Sequence, residues 1–326
     1  MRLATIFPES GNKPIAAVSV DAQSWVALHP FLKFFGAHDL PSDTHAPLEQ
    51  FLPFLMPRFS ELTRKISDWP EHGRVFQKDG GKTLRARRFF PPILRPSTFR
   101  DFYAFEQHVR TARAKHGEGM NPAWYEIPVF YFSNPNSLVG DNDTVCAPAG
   151  STELDYELEL GVVIGKRCRN VTSAQAWNYV AGFTIINDLT ARDLQRAEMP
   201  VGLGPAKGKD FATALGPMLV TRDEFGDKIN NETLSLGMSA RVNGRELSRG
   251  NSSFLYHTFP KMIAQASRDA DLFPGDVIGS GTVGFGCILE LGAENTGGWL
   301  KAGDVVELEI ERLGVLRSRV VARSSA

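Results

Sequence analysis

Apolar residues alternate and cluster most strongly in the second half of the chain, where IPVFYF, ELELGVVIG, GFTIIN, GPMLVT, SARVNGREL, DVIGSGT, ILELG and DVVELEIERL each read as a short strand. Most are separated by Gly, Pro, Asn or Asp. In RVNGREL the pair Asn243-Gly244 sits where a two-residue hairpin turn is expected. Helical three-and-four spacing is rarer and falls in SAQAWNYVAG, LTARDLQRAEM and FPKMIAQASRD. The pattern predicts a β-rich α+β fold, because strands and helices do not alternate regularly.

The start of the chain reads differently. RLATIF and IAAVSV flank PESGNKP and predict a strand hairpin, and the stretch from Asp43 to about Trp69 carries helical spacing divided by Pro47, Pro53 and Pro57. GGKTLRARRFFPPILRPSTFRDF then combines glycine, arginine and proline as an extended connection does. We therefore expect two units, residues 1–90 as a small amino-terminal β domain with broken helices and residues 91–326 as the main domain. The phenylalanines of FLKFFG and FLPFLMPRF are expected to leave apolar surface for a partner subunit.

The 326 residues carry 36 Lys and Arg against 37 Asp and Glu, so no overall field draws nucleic acid or an acidic membrane surface. Arg85, Arg87 and Arg88 form only a short basic run. No stretch approaches the roughly 20 apolar residues of a membrane span, and the amino terminus lacks a signal-peptide core, so a soluble cytoplasmic chain with neither nucleic-acid nor membrane partners is expected. Cys146, Cys168 and Cys287 have no zinc or redox spacing and read as reduced core residues.

One strand breaks the apolar pattern. In ELDYELELGVVIGK, Glu157 and Glu159 lie about 7 Å apart on one face of a strand, opposite Leu158, Leu160, Val162 and Ile164. An isolated Glu-x-Glu is most simply a solvated strand face. Here, however, Gly161, Val163 and Gly165 continue the glutamate face toward the interior. Two buried like charges cost several kcal/mol each unless compensated, and a divalent metal is the simplest compensation. With no His or Cys alongside, an all-oxygen site favours Mg²⁺ or Mn²⁺, with Ca²⁺ as an alternative.

Other segments supply companions. Asp188, where GFTIIN ends, is a further ligand candidate or a helix cap. Arg192 and Gln195 share a helix face and could meet an anionic substrate. FRDFYAFEQH holds Asp101, Tyr103 and His108, a possible ligand, hydroxyl donor and base, although a lone helical His is commonly structural. Lys209 and Thr213 lie in one glycine-bearing loop, and Thr282 lies in another.

Taken in order, DFYAFEQH, DYELELGVVIGK, INDLTARDLQ, GKDFATALGP and GSGTVGFGCILEL resemble the fumarylacetoacetate hydrolase superfamily, over roughly residues 95 to 310. The resemblance implies a β-roll catalytic domain, a small SH3-like β domain before it as in longer members, and a homodimer. It also implies Glu157, Glu159, Asp188 and Asp101 as metal ligands, His108 as the catalytic base oriented by Glu290, and Lys209 as a catalytic cation. Tyr103, Tyr131, Arg192, Gln195 and Thr282 match substrate-contacting positions. Met199 stands about where the family's fumarylacetoacetate-specific members place a tyrosine, so another 2-oxo or β-diketo acid is the expected substrate. The expected reaction is metal-dependent hydrolysis of its carbon-carbon bond, the alternative being decarboxylation, hydration or isomerisation of a 2-oxo acid at the same site.

Overall fold

The computed structural model describes residues 1–115 and 117–323. Among them, an eleven-stranded sheet runs in the order Trp25–Ala27, Ile15–Ser19, Arg2–Pro8, Thr213–Thr221, Val180–Asn187, Leu158–Ile164, Val277–Gly279, Phe99–Phe102 and Phe130–Phe132, with two further strands off this path. A five-stranded sheet is built from Gly237–Val242, Arg245–Asn251, Val305–Ile310, Gly314–Val320 and Asp143–Val145. The architecture is β-rich α+β, and among the described residues no helix is long and apolar enough to cross a membrane.

The Leu158–Ile164 strand shows why its sequence runs unbroken through apolar residues. It is buried along its whole length. Leu158, Leu160, Val162 and Ile164 enter one apolar cluster, while Val163 enters a second on the opposite face. A strand covered on both sides has no solvent face, so a carboxylate on it must be answered by protein or by an ion.

The amino-terminal strands form a ring of their own and also join the large sheet. Arg2–Pro8 pairs with Ile15–Ser19 as an antiparallel hairpin and with Ala86–Phe90, while Trp25 and Leu84 exchange backbone hydrogen bonds. Arg2 and Leu3 continue the ladder against Val220 and Leu219. The expected broken helices are Leu48–Leu55, which carries Pro53 inside it rather than breaking there, and Phe59–Ser67; Trp69–Lys78 is a further helix beyond the expected stretch. Their apolar faces share a cluster with Phe99, Val163, Ala181 and Val277, so the segment before residue 90 packs directly on strands of the large sheet.

In FLKFFG and FLPFLMPRF, Phe31, Phe51 and Phe59 are buried in this core while Phe34, Phe35 and Phe54 are half-buried; the most exposed large apolar side chains include Phe132, Val201, Leu203 and Phe254. Two expectations need correction. ILELG is not a strand. Ile288–Leu291 is a short helix, because the Asp155 carboxylate accepts from the amides of Ile288 (2.7 Å) and Leu289 (3.0 Å) and so satisfies two donors that a helix start leaves open. Of the cysteines, Cys168 and Cys287 are buried but Cys146 is only half-buried. The Asn243-Gly244 turn is as expected, with both residues at positive φ (52° and 79°).

Candidate metal centre and active site

Strand register assembles the site. Tyr131 pairs with Asp101, Asp101 with Gly279, and Gly279 with Gly161 on adjacent strands. Glu159 stands two residues before Gly161 and therefore on its face. Gly279 is what makes room: a Cβ there would lie 2.2 Å from Asp101 Oδ1 and 3.3 Å from Glu159 Oε2. Asp188 follows the end of Val180–Asn187, and carboxylate oxygens of Asp101, Glu159 and Asp188 all lie within 4.8 Å of one another. Thr282 Oγ1 donates to Glu159 Oε1 at 3.3 Å.

These three carboxylates are almost wholly inaccessible. Burial, followed by the charge of its neighbour Asp188, pushes Asp101 well above the ordinary carboxylate range, and burial with Asp101 does the same to Glu159. Glu159 Oε2 has no hydrogen-bond partner among the described residues. A buried carboxylate oxygen without a donor, beside two more carboxylates, is a cost that a divalent cation removes, and the donor set fits a hard cation. The cluster can hold one.

Glu157 faces other company. Its two oxygens accept from Arg192 Nη2 at 2.7 Å and Lys209 Nζ at 2.6 Å. Burial opposes its charge, but Lys209 and Arg192 outweigh that and hold it below the usual carboxylate range. Lys209 Nζ also donates to Asp188 and to Thr190 Oγ1 (2.9 Å), which bridges Glu157 to the three-carboxylate cluster. Burial disfavours the ammonium, yet Asp188 and Glu157 raise its pKa above that of an ordinary lysine. Tyr131 Oη donates to Asp188 Oδ2 at 2.7 Å, and Thr213 Oγ1 donates to Asp188 Oδ1 at 3.3 Å.

The sequence pattern aims Arg192 at substrate, but its guanidinium is committed within the protein. Nε donates to Asp155 Oδ2 (2.8 Å), Nη2 to Glu157, and Nη1 to Gln195 Oε1 (3.0 Å). Gln195 is thereby held with its amide N–H groups as remaining donors. Asp155 is the residue that sequence reasoning missed. It is fully buried, it grips Arg192, and it starts the helix that bears Glu290. Strand alternation carried the signal, since Asp155, Glu157 and Glu159 form an Asp-x-Glu-x-Glu series.

His108 lies on the helix Glu106–Lys115, buried, with Nδ1 2.8 Å from Glu290 Oε2. Glu290 Oε2 also accepts from the Gly286 amide at 3.2 Å and the Cys287 thiol at 3.5 Å. Because a carboxylate only accepts, Nδ1 carries a proton, which in the neutral imidazole leaves Nε2 as the acceptor. The Tyr103 ring meets His108 edge-on at 5.4 Å. A cavity of about 660 Å³ connects these groups: Asp101, Glu157, Glu159 and Lys209 line one end, with Tyr103, His108, Tyr131, Gln195 and Thr282 around it. Glu290 sits behind His108, outside the lining.

A β-rich sheet carrying a buried carboxylate cluster next to an oriented histidine defines an enzyme site of the metal-binding kind. Residues 97–321 match the model of the fumarylacetoacetate (FAA) hydrolase C-terminal family, and the chain belongs to that hydrolase family. Among curated relatives, it is 38% identical over 194 residues to a 2,4-didehydro-3-deoxy-L-rhamnonate hydrolase of Sphingomonas, spanning 59% of this chain and 65% of that one. It is 36% identical over 211 residues to a mitochondrial oxaloacetate tautomerase of Rattus norvegicus, spanning 64% and 63%. Both matches thus cover under two thirds of the relative's own length. A solved fumarylacetoacetate hydrolase of Exiguobacterium antarcticum superposes with a TM-score of 0.69 at 24% identity, over 99% of this chain and 100% of that one, which shows a shared fold.

Proposed function

We propose that the protein hydrolyses the carbon-carbon bond between the two carbonyls of an acylpyruvate or related β-diketo acid, releasing a carboxylic acid and a 2-oxo acid. The observation that carries this reading is the His108–Glu290 pair at 2.8 Å, opening onto the same cavity as the carboxylate cluster. Isomerising a 2-oxo acid needs no activated water, whereas hydrolysis does.

Asp101, Glu159 and Asp188 would hold the cation, Mg²⁺ or Mn²⁺ being favoured over Ca²⁺, while Glu157 beside them keeps both oxygens on Arg192 and Lys209 rather than on the ion. When bound, it supplies a positive charge against which the oxygens of a chelating dicarbonyl acid are stabilised. Glu290 holds the proton on His108 Nδ1. His108 Nε2 then takes a proton from water as the water oxygen bonds to the distal carbonyl carbon. The bond from that carbon to the central methylene breaks, the methylene carbon receives the proton back from His108, and the acid departs. Lys209 offsets charge at the cluster end, while Gln195, Tyr103, Tyr131 and Thr282 orient the substrate, with Arg192 positioning Gln195.

In the same reading the two sheets form the family's roll, residues 1–90 form an accessory unit whose strand ring is SH3-like, and the chain acts as a cytoplasmic homodimer. Light scattering of the purified protein tests the last point, a monomer mass being the contrary outcome.

The test of the reaction is turnover of acylpyruvates after chelation and again after Mg²⁺ or Mn²⁺ is restored, with products identified. Two acid fragments are expected. His108→Ala should lower kcat by on the order of 10²–10⁴ while divalent-cation affinity stays within a few-fold; unchanged turnover would remove His108 from the mechanism. A second reading, isomerisation of a 2-oxo acid, is favoured by the 36% identity to the oxaloacetate tautomerase. It requires a single product with the carbon skeleton intact.

A further inference from the structure

The cavity has two unlike ends, and the outer one bears on the substrate. Four cationic side chains line the cavity among the described residues: Lys209, Arg192, Arg113 and Arg196. Each is already matched. Lys209 and Arg192 hold the buried carboxylates described above. At the rim, Arg196 Nη2 is 2.9 Å from both oxygens of Glu153, and Arg113 bonds Glu118 (2.9 Å) and the carbonyl of Gly119 (2.6 Å). The rim pairs are partly exposed and individually weak. Even so, an anion approaching either guanidinium also meets the glutamate it is bonded to, so the rim presents no net positive charge.

The rest of that outer wall is carbon: Met199, Pro200, Pro205, Leu289, Val129 and Ala112. Met199 is 45% exposed although it borders the cavity. Such a surface binds hydrocarbon and leaves a carboxylate without a counter-charge.

We infer that the enzyme selects acylpyruvates whose acyl end is an uncharged hydrocarbon chain and discriminates against those that end in a second carboxylate. Met199 is the specificity-determining residue. The inference rests on the hydrolase reading for its reaction but on the outer wall alone for its selectivity, so the two can fail separately.

Valerylpyruvate and glutarylpyruvate have the same number of carbons and differ at the terminal group. With the metal-loaded protein, kcat/KM is expected to be at least tenfold higher for valerylpyruvate, and to fall roughly fourfold for each methylene removed toward acetylpyruvate. Met199→Arg places an unmatched cation on the apolar wall; it should raise kcat/KM for glutarylpyruvate by about tenfold and lower that for valerylpyruvate, with a melting curve showing that the variant folds. Equal or better use of glutarylpyruvate by the wild type overturns the inference. If neither compound is cleaved, the hydrolase reading fails, and the melting-temperature shift each produces decides the selectivity. A larger shift with valerylpyruvate supports it; an equal shift, a larger one with glutarylpyruvate, or none from either overturns it.

Discussion

Glu157, just before the Leu158–Ile164 strand, and Glu159, within it, are both buried and have opposite fates. Glu157 sits where the fold brings its own cations, Arg192 and Lys209, and is held ionised by them. Glu159 sits beside Asp101 and Asp188 and keeps one oxygen with no partner. The first half of the site is electrically complete within the chain, and the second half is complete only with an ion. A buried charge must be balanced somewhere. The contrast therefore separates residues whose loss damages the fold from residues whose loss damages metal binding.

Asp155→Ala should break the complete half most severely. It leaves Arg192 with one carboxylate fewer in a buried setting and strips the acceptor from two amides of the Ile288–Leu291 helix. A loss on the order of 3–5 kcal/mol is expected, read as a lowered melting temperature with or without metal. A variant that melts with the wild type would show that this half is not self-sufficient in the way described.

Glu159→Gln should do the reverse. Cation affinity, measured by calorimetry, is expected to fall by roughly 100-fold, which at saturating metal forfeits about 2.7 kcal/mol of ligand-derived stability. In chelator the same variant should melt at or above the wild type, because one uncompensated buried charge is gone. If Glu159→Gln lowers the metal-free melting temperature instead, the orphaned oxygen is not a liability to the fold.

Gly279→Ala gives the smallest effect and sharpens the geometry. Its Cβ would fall 2.2 Å from Asp101 Oδ1, so the carboxylate must turn away. About a tenfold weaker cation affinity is expected with little change in the metal-free melting temperature; an unchanged affinity would show that Asp101 has room to move.

Much of the fold is legible in the order of the amino acids. The amino-terminal hairpin, the helices around Pro47 and Pro57, the Asn243-Gly244 turn and the strand bearing Glu159 follow from spacing and turn chemistry, which act between near neighbours. The Glu-x-Glu face itself shows that charge enters the interior. What alternation along one strand could not show is which charge the protein balances, because Arg192 and Lys209 reach Glu157 from 35 and 52 residues away. The same limit explains ILELG: its apolar alternation suits a strand, and only Asp155, 133 residues earlier, turns it into a helix.

The sequence by itself determined the β-rich class, the carboxylate-bearing strand and, through family resemblance, the candidate residues now found around one cavity. Only the tertiary structure decided that Arg192 serves Asp155, Glu157 and Gln195, that Gly279 opens the space for the carboxylates, and that hydrocarbon and matched ion pairs line one cavity. The physical reason is range. Propensity and periodicity are set by residues a few positions apart, whereas burial and charge compensation depend on which distant segments the folded sheet places side by side.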